Sequence, residues 1–143
     1  MIKKLRPFHL AFPVYNIKKT IKWYTENFDC KIGRKDNNWV DFDFYGHQIS
    51  AHKIDKKNNL STNIIDRHHV PSRHFGIILK INQWEELEDR LRKNKINFFI
   101  KPYTRFKDEV GEQSTMFIQD PSGNFLEFKS FKNDSMIFKS KIK

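Results

Sequence analysis

The feature that most constrains this chain is a repeated order of predicted elements. A strand, a helix and three strands occupy about residues 6–54, and the same order returns over about residues 73–131. Neither copy can bury both faces of its own sheet alone, so the two copies are expected to fold together. The repeat predicts a single α+β domain. In it, two tandem βαβββ modules form one curved, mixed eight-stranded sheet with the helices on the convex side.

Local patterns support both copies. Phe8–Val14 and His74–Lys80 alternate as first strands, and Asn16 and Asn82 are placed to cap the two helices. In the third strand of the first copy, from Trp39 to Tyr45, the alternating pattern predicts that the side chains of Asp41 and Asp43 point outward. Three further segments are expected to be irregular: a linker at residues 55–72, a loop from Pro102 to Gly111, and a basic tail at residues 132–143.

Composition narrows the functional classes. The net charge is +10, from 27 Lys and Arg against 17 Asp and Glu, but the excess is spread along the chain. No nucleic-acid-binding signature accompanies it, so nucleic acid is not expected as a partner. No apolar run approaches the roughly 20 residues of a membrane span, which predicts no membrane association. The single cysteine, Cys30, excludes an internal disulfide framework and favours a cytoplasmic location.

A turn and the strand after it carry the first functional signal. Asp120-Pro-Ser-Gly123 has the chemistry of a tight turn, and the next strand places Glu127 between Leu126 and Phe128. Because side chains alternate across a strand, Glu127 faces away from its two apolar neighbours. A carboxylate on a covered sheet is costly unless it is paired or binds a metal.

Alignment of the two sequence copies singles out four positions. His9 falls on His74 when the first strands are aligned, and Ser50 falls on Glu127 when the last hairpins are aligned on Gly46 and Gly123. Gln48 and His52 share the face of Ser50 because each is two residues away from it. Two equivalent histidines and one carboxylate on predicted sheet faces indicate a metal site.

These residues resemble those of the vicinal oxygen chelate superfamily, which includes glyoxalase I, bleomycin-resistance proteins, fosfomycin-resistance enzymes and extradiol dioxygenases. The resemblance covers about residues 6–131. It rests on the two histidines, on Trp23–Phe28 at the end of the first helix, and on Asp120–Glu127. It implies that His9, His74 and Glu127 bind a divalent metal. The fourth ligand position of glyoxalase I falls on Ser50, whose neutral hydroxyl is a poor ligand.

Two histidines and one carboxylate with open positions suit Fe(II) first and Mn(II) next. The chain therefore looks closest to the extradiol dioxygenase branch, acting on a small molecule with adjacent oxygens. His52 is the candidate base, and the candidate substrate contacts are Gln48, Ser50, Tyr103 and Arg105.

Other interpretations of the function stay open. Gln48 or His52 could supply a fourth ligand in a glyoxalase-type lyase or isomerase using Ni(II), Zn(II) or Mn(II). A metal-free binding protein of the bleomycin-resistance type is a further alternative. A homodimer is expected from the resemblance.

Overall fold

The computed structural model describes residues 4–55 and 62–140 of the chain, with side chains of the latter range from residue 64 onward. The fold is α+β. The chain divides into two compact units, one of residues 1–58 with 120–124 and one of residues 59–119 with 125–143. Among the described residues, no helix has the length and apolar character needed to cross a membrane.

The first unit is a four-stranded sheet with one helix. Its elements are β1 (His9–Val14), α1 (Ile17–Phe28), β2 (Lys31–Lys35), β3 (Trp39–Phe44) and β4 (His47–Lys53). The strand order is β1-β4-β3-β2. The β1–β4 pair is parallel and the other two pairs are antiparallel.

Helix α1 begins and ends on identifiable residues. The side-chain oxygen of Asn16 accepts a hydrogen bond from the Lys19 N–H at 2.9 Å, as predicted for an N-cap. Asp29 ends the helix in the left-handed region, at a φ of 53°. Tyr24 stacks on Phe42 with ring centroids 5.3 Å apart, and Phe28 meets Phe44 edge to face. These aromatic contacts form the core between α1 and its sheet.

The turn at residues 120–124 also belongs to the first unit. Buried Asp120 accepts hydrogen bonds from the Tyr24 hydroxyl at 2.9 Å, from the backbone N–H groups of Ser122 and Asn124, and from the Asn124 side chain. The Ser122 hydroxyl in turn accepts from the N–H of Tyr15. Burial raises the pKa of Asp120, against the lowering effect of these donors, and burial also raises the pKa of Tyr24. The Asp-Pro-Ser-Gly turn is thus held by one buried hydrogen bond, from Tyr24, and by several part-buried ones.

The second unit contains a hairpin, a helix and a three-stranded sheet. Its elements are β5 (Thr62–Ile65), β6 (His68–Pro71), α2 (Ile81–Lys93), β7 (Phe98–Arg105), β8 (Gln113–Gln119) and β9 (Phe125–Phe131). β5 pairs with β6, and β7-β8-β9 is antiparallel throughout. Trp84 of α2 donates its indole N–H to the carbonyl of Phe128 at 2.9 Å, which joins the helix to β9.

The predicted tandem repeat is confirmed by strand order. Residues 75–79 run parallel to β9: the N–H of Glu127 donates to the Phe75 carbonyl, and the N–H of Leu79 donates to the Lys129 carbonyl. The second unit therefore has the order first-fourth-third-second, as the first unit does. This is the arrangement expected of two copies of one module.

Several local predictions were wrong. His74–Lys80 is not a continuous strand, because its pairing with β9 is reduced to two isolated bridges at Phe75 and Ile78. The helix α2 begins at Ile81, so Asn82 lies inside its first turn; the preceding N–H of Lys80 is bound by the side chain of Gln83. The basic tail contains a short 3₁₀ turn at Asp134–Met136.

Two further corrections affect candidate site residues. The predicted linker at 55–72 contains the β5–β6 hairpin, whose two-residue turn holds Asp66 and Arg67 at φ values of 49° and 65°. The predicted loop from Pro102 is in fact the continuation of β7 as far as Arg105, since Tyr103 and Arg105 pair with Thr115 and Gln113 of β8. Residues 56–61 of the predicted linker lie outside the described residues.

Candidate metal centre

Glu127 is the centre of the polar cluster in the second unit. It is buried, with 8% of its surface exposed, on the central part of β9. The Thr115 hydroxyl donates to its Oε1 at 2.7 Å, and Lys129 Nζ lies 3.7 Å from the same oxygen. Its other oxygen, Oε2, lies 3.0 Å from His74 Nε2. One carboxylate oxygen is thus held by the sheet, and the other faces the imidazole.

A second contact determines the protonation of His74. Its Nδ1 lies 2.7 Å from the backbone carbonyl oxygen of Pro71, at the end of β6. A carbonyl oxygen only accepts, so Nδ1 carries the hydrogen. The Nε2 lone pair of a neutral His74 would then face the Glu127 carboxylate at hydrogen-bond distance. Two acceptors at this distance require a cation between them, either a proton or a metal ion.

The pKa shifts follow from this arrangement. The hydrogen bond to Glu127 raises the pKa of His74, against the lowering effect of burial. Burial works to raise the pKa of Glu127, but the His74 and Thr115 hydrogen bonds and the charge of Lys129 outweigh it and lower that pKa. Both shifts favour a protonated imidazole beside an ionised carboxylate.

Gly76 brings the two ligand-bearing segments close together. A β-carbon at this position would lie 1.6 Å from the carbonyl oxygen of Glu127. Only glycine allows the backbone after His74 to approach β9 so closely. The ring of Phe117 meets the His74 ring edge to face, with centroids 5.1 Å apart, and limits how the imidazole can turn.

Four other candidate site residues lie in the first unit, on one face of its sheet: His9, Gln48, Ser50 and His52. Register places Ala11 beside Ser50, and His9 and Gln48 beside each other, with His52 two residues further along β4. Ser50 is buried and donates its hydroxyl to Asp41 Oδ1 at 2.6 Å. Gln48 lines a cavity of about 340 Å³ in this unit. His9 and His52 are both exposed within the unit.

Asp41 is a polar residue that the sequence analysis missed. Alternation on β3 predicted an outward carboxylate, but Asp41 is buried at 7% exposure, because Ser50 and Gly33 lie beside it on the neighbouring strands. Arg34 Nε lies 3.7 Å from its second oxygen. The signal that could have found it is its position opposite Ser50 in the β3–β4 hairpin. The hydroxyl at the fourth predicted ligand position is therefore bonded to a carboxylate.

Tyr103 and Arg105 contact the β5–β6 hairpin in the second unit. The Tyr103 hydroxyl donates to Asp66 Oδ2 at 3.0 Å, and Arg105 forms an ion pair with the same oxygen. Burial and the neighbouring Asp66 raise the pKa of Tyr103 to about 12. Val70 of the hairpin packs with Ile100 and Phe117. Both predicted substrate contacts are thus bound to the hairpin, and their role towards a substrate stays a prediction.

The predicted ligands fall in different parts of the chain. His74 and Glu127 belong to the second unit and lie together, whereas His9 belongs to the first. Within either unit, as far as residues 4–55 and 62–140 describe it, no three His, Cys, Asp or Glu side chains are grouped to hold a metal on their own. The full set of three ligands stays a prediction.

Sequence and structure comparisons identify the family. The model of the glyoxalase/bleomycin resistance protein/dioxygenase superfamily matches residues 6–128. The chain belongs to this superfamily. No curated protein sequence matches it significantly.

Solved structures of the superfamily share the fold. A glyoxalase/bleomycin resistance protein/dioxygenase from Alicyclobacillus acidocaldarius is 28% identical with a TM-score of 0.81, over 96% of this chain and 100% of that one. The fosfomycin resistance protein FosX from Listeria monocytogenes is 14% identical with a TM-score of 0.69, over 95% and 98% of the two chains. Lactoylglutathione lyase from Agrobacterium tumefaciens is 15% identical with a TM-score of 0.65, over 90% and 95%. At these low identities, the last two show similarity of fold alone.

Proposed function

We propose that this protein is a metal-dependent enzyme that acts on a small molecule with two adjacent oxygens. The observation that carries the proposal is the 3.0 Å approach of His74 Nε2 to Glu127 Oε2, with His74 Nδ1 already bound to a carbonyl. A histidine that ligates a metal through Nε2 typically donates its other N–H to a carbonyl or carboxylate. The Listeria FosX protein has been crystallised with Mn(II) and sulfate, which gives a precedent for a divalent ion on this fold.

The residues present fit a divalent ion. His74 Nε2 and Glu127 Oε2 would hold it, with His9 as the third ligand, and Fe(II) and Mn(II) suit such a set. When bound, the ion supplies positive charge that polarises the two substrate oxygens. Thr115 holds the carboxylate in place through Oε1, and the Pro71 carbonyl fixes the ring orientation of His74.

Extradiol-type ring cleavage of a catechol-like diol is the first reaction we propose. It fits a set of two histidines and one carboxylate with open positions, because the neutral Ser50 stands where a fourth ligand would be. His52 would accept the proton of the second hydroxyl, and Gln48 would contact the substrate on the same sheet face.

One observation favours a second candidate, a glyoxalase-type lyase or isomerase. Buried Asp41 is bonded to Ser50, so a carboxylate does exist beside the fourth ligand position, on the neighbouring strand. A closed set of four ligands would suit chemistry that does not consume oxygen. Under this candidate, Ni(II), Zn(II) or Mn(II) would support anaerobic turnover of a hemithioacetal.

The metal itself is tested first. We expect metal-free protein to bind Mn(II) in calorimetry, and His74→Ala and Glu127→Gln each to weaken binding at least tenfold. Thr115→Val, which removes only the donor to Oε1, should weaken binding by about tenfold, the lower end of the usual range for such supporting groups. Thr104→Val is the matched control, since Thr104 lies on β7 and bonds to Ser114 instead. Unchanged Mn(II) affinity in both His74→Ala and Glu127→Gln would exclude this centre and favour a metal-free binding protein.

The reaction is tested separately. Fe(II)-loaded protein is assayed for oxygen uptake with a panel of catechols, and Ni(II)-loaded protein for anaerobic turnover of a hemithioacetal. Oxygen uptake lost in His52→Ala while Mn(II) binding persists would support ring cleavage with His52 as the base. Anaerobic turnover lost in Asp41→Asn would support the second candidate.

We also propose that the functional form is a homodimer, as the sequence analysis expected. Sedimentation equilibrium measures this directly, and a mass near 17.3 kDa would show a monomer instead.

A further inference from the structure

One face of the β7-β8-β9 sheet continues from the candidate metal centre into a cavity. Glu127, Lys129 and Phe131 alternate along β9, so their side chains share this face. The register places Thr115 opposite Lys129 and Gln113 opposite Phe131, on the same face. Lys129, Phe131 and Gln113 line a cavity of about 510 Å³. The metal centre and this cavity are therefore neighbours on one face of the second unit.

The loop before β8 and the tail after β9 form the other walls of this cavity, which we call the tail cavity. The loop contributes Phe106, Val110 and Gly111, and the tail contributes Met136, Ile137 and Lys139. The N–H of Lys132 donates to the Glu112 carbonyl at 3.0 Å, which attaches the tail to the loop. The superfamily model ends at residue 128, so the tail wall is built from residues beyond the part of the chain that it matches.

The lining of the tail cavity is largely apolar and partly open to water. Phe106 and Val110 are 42% and 39% exposed. The other apolar lining residues are half-buried: Phe131, Met136 and Ile137. Removal of such surface from water is favourable. An apolar chain or ring therefore suits this cavity.

Lys129 lies where the tail cavity meets the metal centre. Its Nζ is 3.7 Å from Glu127 Oε1, the oxygen that also accepts from the Thr115 hydroxyl. This separation is longer than a hydrogen bond, so the ammonium group can donate to another acceptor. The Lys129 side chain is 33% exposed, so an acceptor can reach it.

The charged groups of the cavity lining suit an anion. Among the described residues that line it, the charged ones are Lys129 and Lys139. Asp108 and Glu112 of the adjoining loop lie 3.9 and 3.2 Å from Lys132, which is not part of the lining. The charges available to a ligand in the tail cavity are therefore those of ammonium groups.

We propose that the substrate of the metal centre is an organic acid with an apolar chain or ring. The apolar part lies in the tail cavity, and Lys129 binds the carboxylate. Because Lys129 adjoins Glu127, this carboxylate lies next to the substrate oxygens that the metal binds. The inference rests on the proposed metal-dependent function and adds Lys129 and Ile137 as residues that determine specificity.

The first test uses metal-free protein, because neither the tail cavity nor Lys129 needs an ion. Octanoate, octanol and acetate are titrated into the chelator-treated full chain in a calorimeter. We expect octanoate to bind about tenfold more tightly than octanol, since only the acid pairs with Lys129. Acetate, which has no apolar chain, should bind more weakly than octanoate. Equal affinities for octanoate and octanol, or for octanoate and acetate, would overturn the proposal.

Variants locate the binding. Lys129→Met should remove the preference for octanoate over octanol, whereas Lys101→Met, which removes the same charge from an exposed position on β7, should keep it. Ile137→Ala should weaken octanoate and octanol alike by about fivefold, because the cavity wall loses apolar surface. Phe138→Ala is its control, since Phe138 is 98% exposed. A preference kept in Lys129→Met, or unchanged octanoate affinity in Ile137→Ala, would place the acid elsewhere and overturn the assignment.

Mn(II) affinity separates a binding role of Lys129 from a structural one. Lys129→Met removes a positive charge beside Glu127, so Mn(II) affinity should stay the same or rise. A lower Mn(II) affinity would show that Lys129 supports the metal centre and would contradict its assignment to the substrate.

The link to the metal is tested with 2-hydroxyoctanoate, which has a hydroxyl beside its carboxylate. Mn(II)-loaded protein should bind it about tenfold more tightly than octanoate, and metal-free protein should bind both equally. No gain from Mn(II) would overturn the substrate assignment. Mn(II) binding without octanoate binding would overturn this inference alone, whereas octanoate binding without Mn(II) binding would overturn the proposed function and with it the link to a metal.

A second copy of the chain is the other possible occupant of the tail cavity. Sedimentation equilibrium with and without octanoate, on wild type and Ile137→Ala, measures this. An unchanged mass supports a small-molecule occupant. Dissociation of a dimer by octanoate or by Ile137→Ala would show that the second copy fills the cavity and would overturn the proposal.

Discussion

Three buried carboxylates differ in how completely their oxygens are hydrogen-bonded, and this difference separates a structural role from a chemical one. Asp41, Asp120 and Glu127 are each less than a tenth exposed. Asp120 accepts four hydrogen bonds from its own turn and from Tyr24, which suits a structural role. Glu127 has one oxygen held by Thr115, while the other faces an imidazole nitrogen. Asp41 is bonded to Ser50 and lies near Arg34.

The structural role of Asp120 gives a prediction at this scale. Tyr24→Phe removes one buried donor to Asp120 and leaves the ring packing on Phe42 intact. We expect the free energy of unfolding to fall by about 1.5–3 kcal/mol, the usual range for a hydrogen bond to a charged group. Urea unfolding measures this. Tyr15→Phe, which removes a hydroxyl from a half-buried ring, is the comparison and should cost less. Equal losses in the two variants would contradict the structural role given to the Tyr24–Asp120 bond.

At the scale of elements, two sets of contacts between segments hold the second unit together. Residues 75–79 lie against β9, with Gly76 beside the Glu127 backbone. The β5–β6 hairpin is attached by Asp66 to Tyr103 and Arg105, and by the Pro71 carbonyl to His74. The hairpin thus supports both β7 and the orientation of one predicted metal ligand.

Gly76→Ala tests the contact between residues 75–79 and β9. The added methyl group would meet a backbone oxygen at 1.6 Å, so β9 or the segment after His74 must move. We expect a loss of about 3 kcal/mol or more in the free energy of unfolding. Gly33→Ala is the matched control on β2, where the added carbon meets its nearest neighbour at an ordinary 3.4 Å. Chemical denaturation compares the two, and a similar small loss in both would mean that the backbones are not in contact at Gly76.

The pH dependence of hairpin stability tests the contacts of Asp66 with Tyr103 and Arg105. Burial works to raise the pKa of Asp66, but hydrogen bonds from Arg105 and Tyr103 outweigh it and lower that pKa below the ordinary 3.8. A lowered carboxyl pKa means that the stabilisation is complete above the unfolded value and is lost as the pH falls through the folded value. We expect the protection factors of the β6 amides in hydrogen exchange, which correct for the intrinsic pH dependence of exchange, to be high and constant from about pH 5 to 7 and to fall below about pH 4.

Asp66→Asn is the control for this experiment. It should speed exchange in β6 at neutral pH and remove most of the change on acidification, while β3 of the first unit keeps the wild-type rates. An acid-induced change of the same size in wild type and Asp66→Asn would show that another group holds the hairpin.

At the scale of the whole molecule, family membership rests on most of the chain. The superfamily model covers residues 6–128, and the Alicyclobacillus structure matches 96% of this chain and all of its own. Ring cleavage and the glyoxalase-type reaction proposed above both require a bound divalent ion. The metal is therefore the property of the whole molecule to measure first.

Metal binding should appear as a change in thermal stability. An ion that binds the folded chain alone stabilises it by about 2.7 kcal/mol at a concentration of 100 times Kd. For a chain of 143 residues this corresponds to a rise in Tm of about 8 °C. Differential scanning calorimetry of chelator-treated protein, with Mn(II) added back, measures the rise. His74→Ala should lose it, and a full rise in that variant would exclude His74 as a ligand.

Much of this protein could be predicted because the decisive signals are local. Helix α1 runs from Ile17 to Phe28 as its cap and apolar stripe indicated, and the turn before Glu127 forms where its residues require it. The repeated element order also predicted two similar copies, and the structure shows the same strand order in both units. His74 and Glu127 were singled out from alternation and the repeat, and the structure brings them together.

Tertiary structure alone decided the rest, because alternation divides a strand into two faces without saying what covers each face. Asp41 is buried since Ser50 and Gly33 flank it on neighbouring strands. β7 extends to Arg105 since β8 pairs with it that far, and residues 62–71 form a hairpin whose Val70 packs on Ile100. The protonation of His74 depends on a carbonyl three residues earlier and a carboxylate 53 positions later, at distances of 2.7 and 3.0 Å. Such pairings depend on how strands distant in sequence align, which no local pattern specifies.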